Sequence, residues 1–452
     1  RSKDMSAVEV TAAALANIEK VDGQLNSFCA VDPERALSDA KEIDAALSRG
    51  EHLPLAGVPI GVKDLEDAAG VVTTFGSALH TDDQKAEQDS ELVRRLKAAG
   101  CVVLGKTNTP EFGHRSKTDN VPFGITRNPW NLDHTPGGSS GGTGAALAAG
   151  IVPLATGSDG GGSIRIPSAL CGLSGIKTSQ GRIPNGGKLP PSSGLLTVKG
   201  PMARTTLETS LALDLTVGDL ATDIFAQRDK VESWYEGVQN SALPESIIWS
   251  PTMGFATVDK EIMSHCEAAI TKLEAAGVNI VVDDKIWEED PVRDWLVFWA
   301  SARARAQQHL MGTPDWEKID PQHRSLIEFG ARKMTGAAYA LAIDAGHHLN
   351  YKLEQSFEAA PLIVTPALCG HTPTVASEGF VNGEETLGWV GFTVGLNMTR
   401  NPAGVVPFGK SNAGLPLALQ VIGRQRADFS VLQAMHRFEE VFGFSETAPY
   451  GV

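Results

Sequence analysis

The 452 residues predict an α/β fold, with a mixed central β-sheet covered by helices on both faces. Three observations carry that expectation. Helical periodicity alternates with short apolar runs through the first half of the chain. One phrase, a helix closed by glycine and followed by a strand-like run, occurs twice: residues 89–99, Gly100 and Cys101-Val102-Val103-Leu104, then residues 259–276, Gly277 and Val278-Asn279-Ile280-Val281-Val282. The composition, 42% hydrophobic and 21% charged, is that of a globular chain able to bury a large core. Length alone would allow two or three domains. With no internal repeat, low-complexity tract or linker, residues 1–452 read as one domain, with a core at 55–205 and a helical flank or cap at 290–357.

Each element has a local reason. Residues 6–20 carry apolar positions at helical spacing, and Ser6 with Glu9 three positions later forms a capping box. A second helix over 33–47 leads through a turn to Gly57-Val58-Pro59-Ile60-Gly61-Val62-Lys63-Asp64, a strand-like run ending on a lysine. The first helix–Gly–strand phrase follows. Residues 143–149 are alanine-rich and read as a helix, 151–156 as a strand, 207–217 as a helix and 246–249 as a strand. Residues 295–311 and 324–357 read as long helices separated by a break near Pro314 and Pro321. Residues 361–366 (PLIVTP) and 415–422 (LPLALQVI) read as late strands, and 431–441 as a closing helix.

Charge and cysteine content narrow the function. A formal net charge of −15 argues against a nucleic-acid surface, which needs clustered Lys and Arg. No apolar run approaches the roughly 18 residues of a membrane span. The five cysteines are scattered and odd in number, which argues against a disulfide framework or a zinc CxxC pair, and Cys171 reads as a packed core thiol. None of the 11 histidines has metal-ligand spacing, so neither a metal nor another cofactor is expected. A reducing, cytoplasmic setting fits. Arg1 stands where an initiator Met would, so further residues are expected upstream.

Two Gly/Ser clusters, Gly137-Gly138-Ser139-Ser140-Gly141-Gly142 and Gly160-Gly161-Gly162-Ser163, stand one short element apart. Glycine lets a backbone approach a ligand and turn its N–H groups toward it. Residues 137–141 fit the G-x-S-x-G nucleophile elbow, which would make Ser139 the nucleophile, but the preceding residues have no strand character. A Walker loop requires Gly-Lys-Ser/Thr at a spacing neither cluster has. The plain alternative is a pair of glycine turns in helix–strand packing. The remaining reading is acyl transfer by a serine whose base is a lysine kept neutral by burial, with consecutive N–H groups at 160–163 holding the oxyanion. Lys63, Lys106 and Lys177 all stand beside glycines or strand ends, and composition does not choose among them.

These residues resemble the amidase signature enzymes. The likeness runs from Leu55-Ala56-Gly57-Val58-Pro59-Ile60-Gly61-Val62-Lys63-Asp64, through Gly105-Lys106-Thr107-Asn108 and the two clusters, to Gly414-Leu415-Pro416-Leu417-Ala418-Leu419-Gln420-Val421-Ile422-Gly423. The resemblance implies the amidase signature fold and a Ser–cis-Ser–Lys catalytic set. Ser163 would be the nucleophile, Ser139 the proton relay, Lys63 the base, and the backbone of Gly160, Gly161, Gly162 and Ser163 the oxyanion hole. The usual pattern has Thr where this chain has Gly160, which would leave the loop more mobile. Asp159 and Arg165 read as a structural pair.

The expected activity is hydrolysis of linear amides, aliphatic or aryl, with carbamates or esters open to the same chemistry. The expected partner is a small-molecule amide, with no nucleic acid or membrane, and the chain as monomer or homodimer. The alternative is the amidase subunit of a glutamine-dependent tRNA amidotransferase, disfavoured by Ile166 where those subunits have Gln. A non-catalytic scaffold is disfavoured because all three catalytic positions are filled. Candidate pocket walls are residues 115–123, 183–196 and 295–339.

Overall fold

The computed structural model describes residues 5–186, 196–229 and 231–452. Most of its strands form two mixed sheets flanked by helices, and two small ladders pair Asp119–Asn120 with Gly124–Ile125 and Phe380–Val381 with Glu384–Glu385. The five-stranded sheet has the order Phe28–Val31, Val102–Thr107, Pro59–Lys63, Leu154–Asp159, Val198–Ala203, with its three middle strands parallel. The six-stranded sheet runs Asn279–Val282, Ser246–Trp249, Leu362–Pro366, Pro416–Gly423, Ala403–Lys410, Gly175–Lys177. The mixed central sheet expected from sequence is present in two parts, one of five strands and one of six. They meet where Gly175–Lys177 lies beside Val198–Ala203, and the Ser174 N–H donates to the Arg204 carbonyl at 3.0 Å.

Local signals placed most elements within a few residues. The first helix, Ala7–Leu25, has the expected capping box: Ser6 caps Glu9 and the Glu9 carboxylate returns to the Ser6 N–H. Both helix–Gly–strand phrases form, as Glu91–Ala98 into Val102–Thr107 and Lys260–Ala275 into Asn279–Val282. The stretch 324–357 is two helices, Pro321–Lys333 and Gly336–Ser356, because the Thr335 hydroxyl accepts from Ala338 N–H and starts a new helix there. Strands Val198–Ala203 and Ala403–Lys410 and the short helix Arg165–Cys171 had no sequence expectation.

The larger core fills the space on both sheets with residues such as Val62, Leu92, Ile176, Ile248, Val364, Leu419 and Phe438. A second core, including Leu25, Phe28, Leu104, Ala146, Leu147 and Met202, lies between the five-stranded sheet and the helices Ala7–Leu25, Pro33–Ser48 and Gly141–Ala148. Lys63 pairs with Thr107, and Gly61 with Ala155, across the parallel strands. That register brings the carboxyl ends of the three strands to one edge. Crevices at such strand ends are where open α/β sheets hold ligands. Among the described residues no helix is long and apolar enough to cross a membrane.

Candidate active site

Lys63 closes the strand Pro59–Lys63 with its side chain fully buried. The amine lies 2.9 Å from Ser139 Oγ, 2.7 Å from Ser140 Oγ and 3.1 Å from Ser158 Oγ. Burial pushes its pKa down to about 7, against the opposing pull of Glu66 and Asp159. Among the described residues no carboxylate reaches it within ion-pair distance, so a charge there is supported by the nearby hydroxyls and, from farther off, by Glu66 and Asp159.

The other two lysines differ. Lys106 is equally buried, but its amine donates to the Glu66 carbonyl and Thr73 Oγ1 and stands 3.4 Å from Asp64, an internal ion pair. Lys177, also pushed by burial to about 7, donates to the Thr178 carbonyl. Neither amine touches a serine hydroxyl of the clusters.

The Gly/Ser clusters converge. The Gly138–Ser139 peptide is cis, and Thr109 Oγ1 donates to the Ser139 carbonyl at 2.9 Å. The Ser140 N–H donates to the Ser163 carbonyl at 3.3 Å, so the two serine loops are neighbours although Ser139 and Ser163 are 24 positions apart. Their hydroxyls are not joined: Ser139 Oγ is turned to Lys63, and among the described residues Ser163 Oγ has no hydrogen-bond partner and faces a cavity. Ser140 and Ser158, as partners of Lys63, had no place in the sequence reading. Their only sequence signal is adjacency, Ser140 to Ser139 and Ser158 to Asp159.

Behind Ser163 the loop is tied to a buried ion pair. Arg165 Nε and Nη2 donate to the two Asp159 oxygens at 2.9 and 3.0 Å, with both side chains 1% exposed or less. Burial pushes the Asp159 carboxyl up, and the Arg165 guanidinium more than reverses this, holding it well below the usual carboxylate range. Asn397 and Gln420 take further guanidinium N–H groups. Asp159 Oδ1 also accepts the Gly162 N–H at 2.7 Å, so of the four backbone donors expected for an oxyanion hole this one is already engaged. The N–H groups of Gly160, Gly161 and Ser163 have no acceptor among the described residues. Gly162 sits at φ +124°, where a side chain would be strained.

The cavity in front of Ser163 has a volume of about 580 Å³. His114, Arg115, Ser116 and Lys117 line one side. Trp295, Leu296 and Trp299 from the helix Val292–Gln307, and Gln322, Ser325 and Leu326 from Pro321–Lys333, line another. Two of the three expected wall segments are thus present in part. In the third, residues 183–186 do not reach the cavity, 187–195 lie outside the described residues, and Leu196 packs on Phe298 and Met398. Glu378, Leu387, Val390 and Val394 complete the wall without any sequence signal. Trp295 and Trp299 are stacked, ring centroids 4.9 Å apart, and the Arg303 guanidinium lies 4.2 Å over Trp299. Cys171 is a buried core thiol, its pKa raised by burial. Among the described residues no group of His, Cys, Asp and Glu is placed to hold a metal.

The structure brings Lys63 and Ser139 together beside the glycine loop that carries Ser163, and the amidase family model matches residues 9–432. The chain belongs to the amidase family. It is an amide-hydrolysing enzyme. It is 33% identical to an acylamidase of Rhodococcus erythropolis, over 99% of this chain and 94% of that one. One component of the glutamyl-tRNA(Gln) amidotransferase of Acinetobacter baumannii is 32% identical, over 96% of this chain and 92% of that one. The solved structure of a bacterial aryl acylamidase of the amidase signature family superposes with a TM-score of 0.90 at 28% identity, covering 97% of this amidase and 94% of that chain.

Proposed function

We propose that this amidase cleaves linear amides with an apolar or aryl substituent through an acyl-Ser163 intermediate, with Ser139 as proton relay and neutral Lys63 as base. The observation that carries the reading is the buried Lys63 amine on Ser139 Oγ, pushed by burial to about 7. A neutral amine has two N–H donors and one lone pair, and three hydroxyls surround this one. The Ser140 hydroxyl can donate to the Ser158 carbonyl at 3.4 Å, which leaves its oxygen to accept from Lys63. Ser158 accepts the second N–H, and the lone pair is left for the Ser139 proton.

In the forward step Ser139 passes its proton to Lys63 and takes that of Ser163, whose Oγ attacks the amide carbon. The negative oxygen that forms is held by the free N–H groups of Gly160, Gly161 and Ser163. Collapse breaks the C–N bond, the leaving amine takes a proton from Ser139, and Lys63 returns one to Ser139. Water then hydrolyses the acyl-Ser163 ester by the same relay. Catalytic hydrogen bonds commonly tighten only with substrate bound, which fits the unpartnered Ser163 hydroxyl. Carbamates and esters present the same tetrahedral geometry and fall within the proposal. The chain is proposed to work in the cytoplasm, as monomer or homodimer.

Likeness to the amidotransferase component supports a second reading, with glutamine as ammonia donor in a complex. The apolar wall around Ser163, including Ile166, Trp295 and Leu296, favours an apolar amide over glutamine. The test is Ser163→Ala assayed with an aryl anilide, an aliphatic amide and glutamine. Loss of anilidase activity in a folded variant, with the wild type forming an acyl adduct visible by mass spectrometry, supports the proposal. Activity surviving in Ser163→Ala sinks it, and a wild type active on glutamine alone favours the second reading.

A further inference from the structure

We propose that Trp295 is a positioning residue for the oxyanion loop: its indole N–H holds the Gly160 carbonyl and so aims the Gly161 N–H at the reacting oxygen. The inference rests on the acyl-Ser163 reading above. Trp295 Nε1 donates to the Gly160 carbonyl at 2.8 Å. The peptide joining Gly160 to Gly161 is not cis, so its C=O and N–H point to opposite sides. Fixing the carbonyl on the indole therefore fixes the direction of the Gly161 N–H, which has no acceptor among the described residues.

The neighbouring peptide shows why this one depends on a single contact. Between Gly161 and Gly162 the carbonyl accepts from Thr393 Oγ1 at 2.7 Å and the N–H donates to Asp159 Oδ1 at 2.7 Å, so that peptide is held from both sides. Among the described residues the Gly160–Gly161 peptide has the indole bond alone, and glycine at both ends leaves it no steric restriction of its own. The indoles also occupy the space that side chains would need. A Cβ on Gly160 would lie 2.9 Å from Trp299 Cζ3, and one on Gly161 2.7 Å from Trp295 Cζ2. Trp295 thus touches the loop and the cavity with one ring. Trp299 stacks on it, but its own Nε1 is buried without a partner among the described residues, so the two tryptophans differ in the one atom that matters here.

The test uses the full chain. Trp295→Phe keeps an aromatic ring in the stack and removes the N–H. With an aryl anilide, kcat is expected to fall about tenfold while KM stays within about twofold. Affinity for an arylboronic acid is expected to fall by the same factor, because its tetrahedral serine adduct places an oxygen where the transition state does. Trp299→Phe, which trims the same stack without removing a hydrogen bond, is expected to act on KM instead. Wild-type kcat and boronate affinity in Trp295→Phe, or an effect confined to KM, overturns the proposal. An inactive Ser163→Ala alongside that outcome leaves the acyl-enzyme reading standing, whereas an active Ser163→Ala overturns both. If Trp295→Phe does not fold, as judged by circular dichroism, benzothienylalanine at position 295 is measured with the same criteria, since it keeps the ring volume and replaces N–H by sulfur.

Discussion

The signature core and the helical flank meet at one cavity and build their shares of it by different means. The core supplies polar atoms from strand ends and glycine loops: the amine of Lys63 has three serine hydroxyls within 2.7–3.1 Å, all buried in packed backbone. The flank supplies mainly apolar side chains from the helices Val292–Gln307 and Pro321–Lys333, with Gln322 and Ser325 among them, many half-buried around open volume. Proton transfer demands fixed donor–acceptor distances, which short strands in a sheet provide. A pocket wall needs only shape and polarity, and exchange of one side chain shifts it by degrees. The core should therefore fail all at once when altered, and the flank gradually, apart from Trp295, whose N–H reaches the core's glycine loop.

Lys63→Ala is the sharpest break of that contrast. Under the proposed mechanism it removes the base and leaves three hydroxyls around an empty space. Activity on an aryl anilide is expected to fall by about 10⁴-fold, as for single members of other catalytic units. Wild-type rates would show that the base lies elsewhere. Second in size is Arg165→Leu, which strands the Asp159 carboxylate in the core. A buried pair broken from one side costs about 3–5 kcal/mol, to be read as a lower denaturant midpoint. An unchanged midpoint would mean that water reaches Asp159.

Legibility in the sequence follows the same division. Lys63, Ser139 and Ser163 stand in contiguous, glycine-marked phrases, and a resemblance carried by those phrases named all three. The contacts that orient the loop span long separations: Trp295 to Gly160 over 135 positions, Thr393 to Gly161 over 232, Asn397 to Asp159 over 238. No local pattern announces them, since a tryptophan on an amphipathic helix reads as core whether or not its N–H has a task. Ser140 and Ser158 escaped notice for a related reason. Ser158 meets Lys63 because parallel register aligns their strand ends, and Ser140, at the start of the helix Gly141–Ala148, because its hydroxyl packs against the Ser158 N–H at 3.4 Å. The break at Thr335 was missed because the apolar periodicity on either side runs on through it.

The third prediction is a pH profile. Only neutral Lys63 can take a proton, and burial sets its pKa at about 7. Below that value the ammonium dominates, so kcat/KM is expected to fall about tenfold per unit as pH drops, and to level off above it. Lys177, lowered to a similar value, could titrate in the same window. Its amine reaches the Thr178 carbonyl rather than the serines, so Lys177→Met should leave the limb in place. Loss of the limb in that variant would move the assignment from the serine cluster to the strand Gly175–Lys177.

The smallest effect belongs to the flank. Leu326 lines the cavity, and among the described residues its side chain belongs to none of the apolar core clusters. Leu326→Ala removes part of the wall without opening a hole in the core. KM for an aryl anilide is expected to rise about three- to fivefold with kcat unchanged, less than the roughly tenfold or more of a methylene in a closed apolar pocket, because this wall faces open volume. A steady-state comparison of anilides with short and long acyl chains checks it, since the loss should grow with the chain that reaches the wall. A fall in kcat equal for all substrates would instead place Leu326 with the residues that hold the reacting groups, and the division between a rigid core and a tolerant flank would fail at that helix.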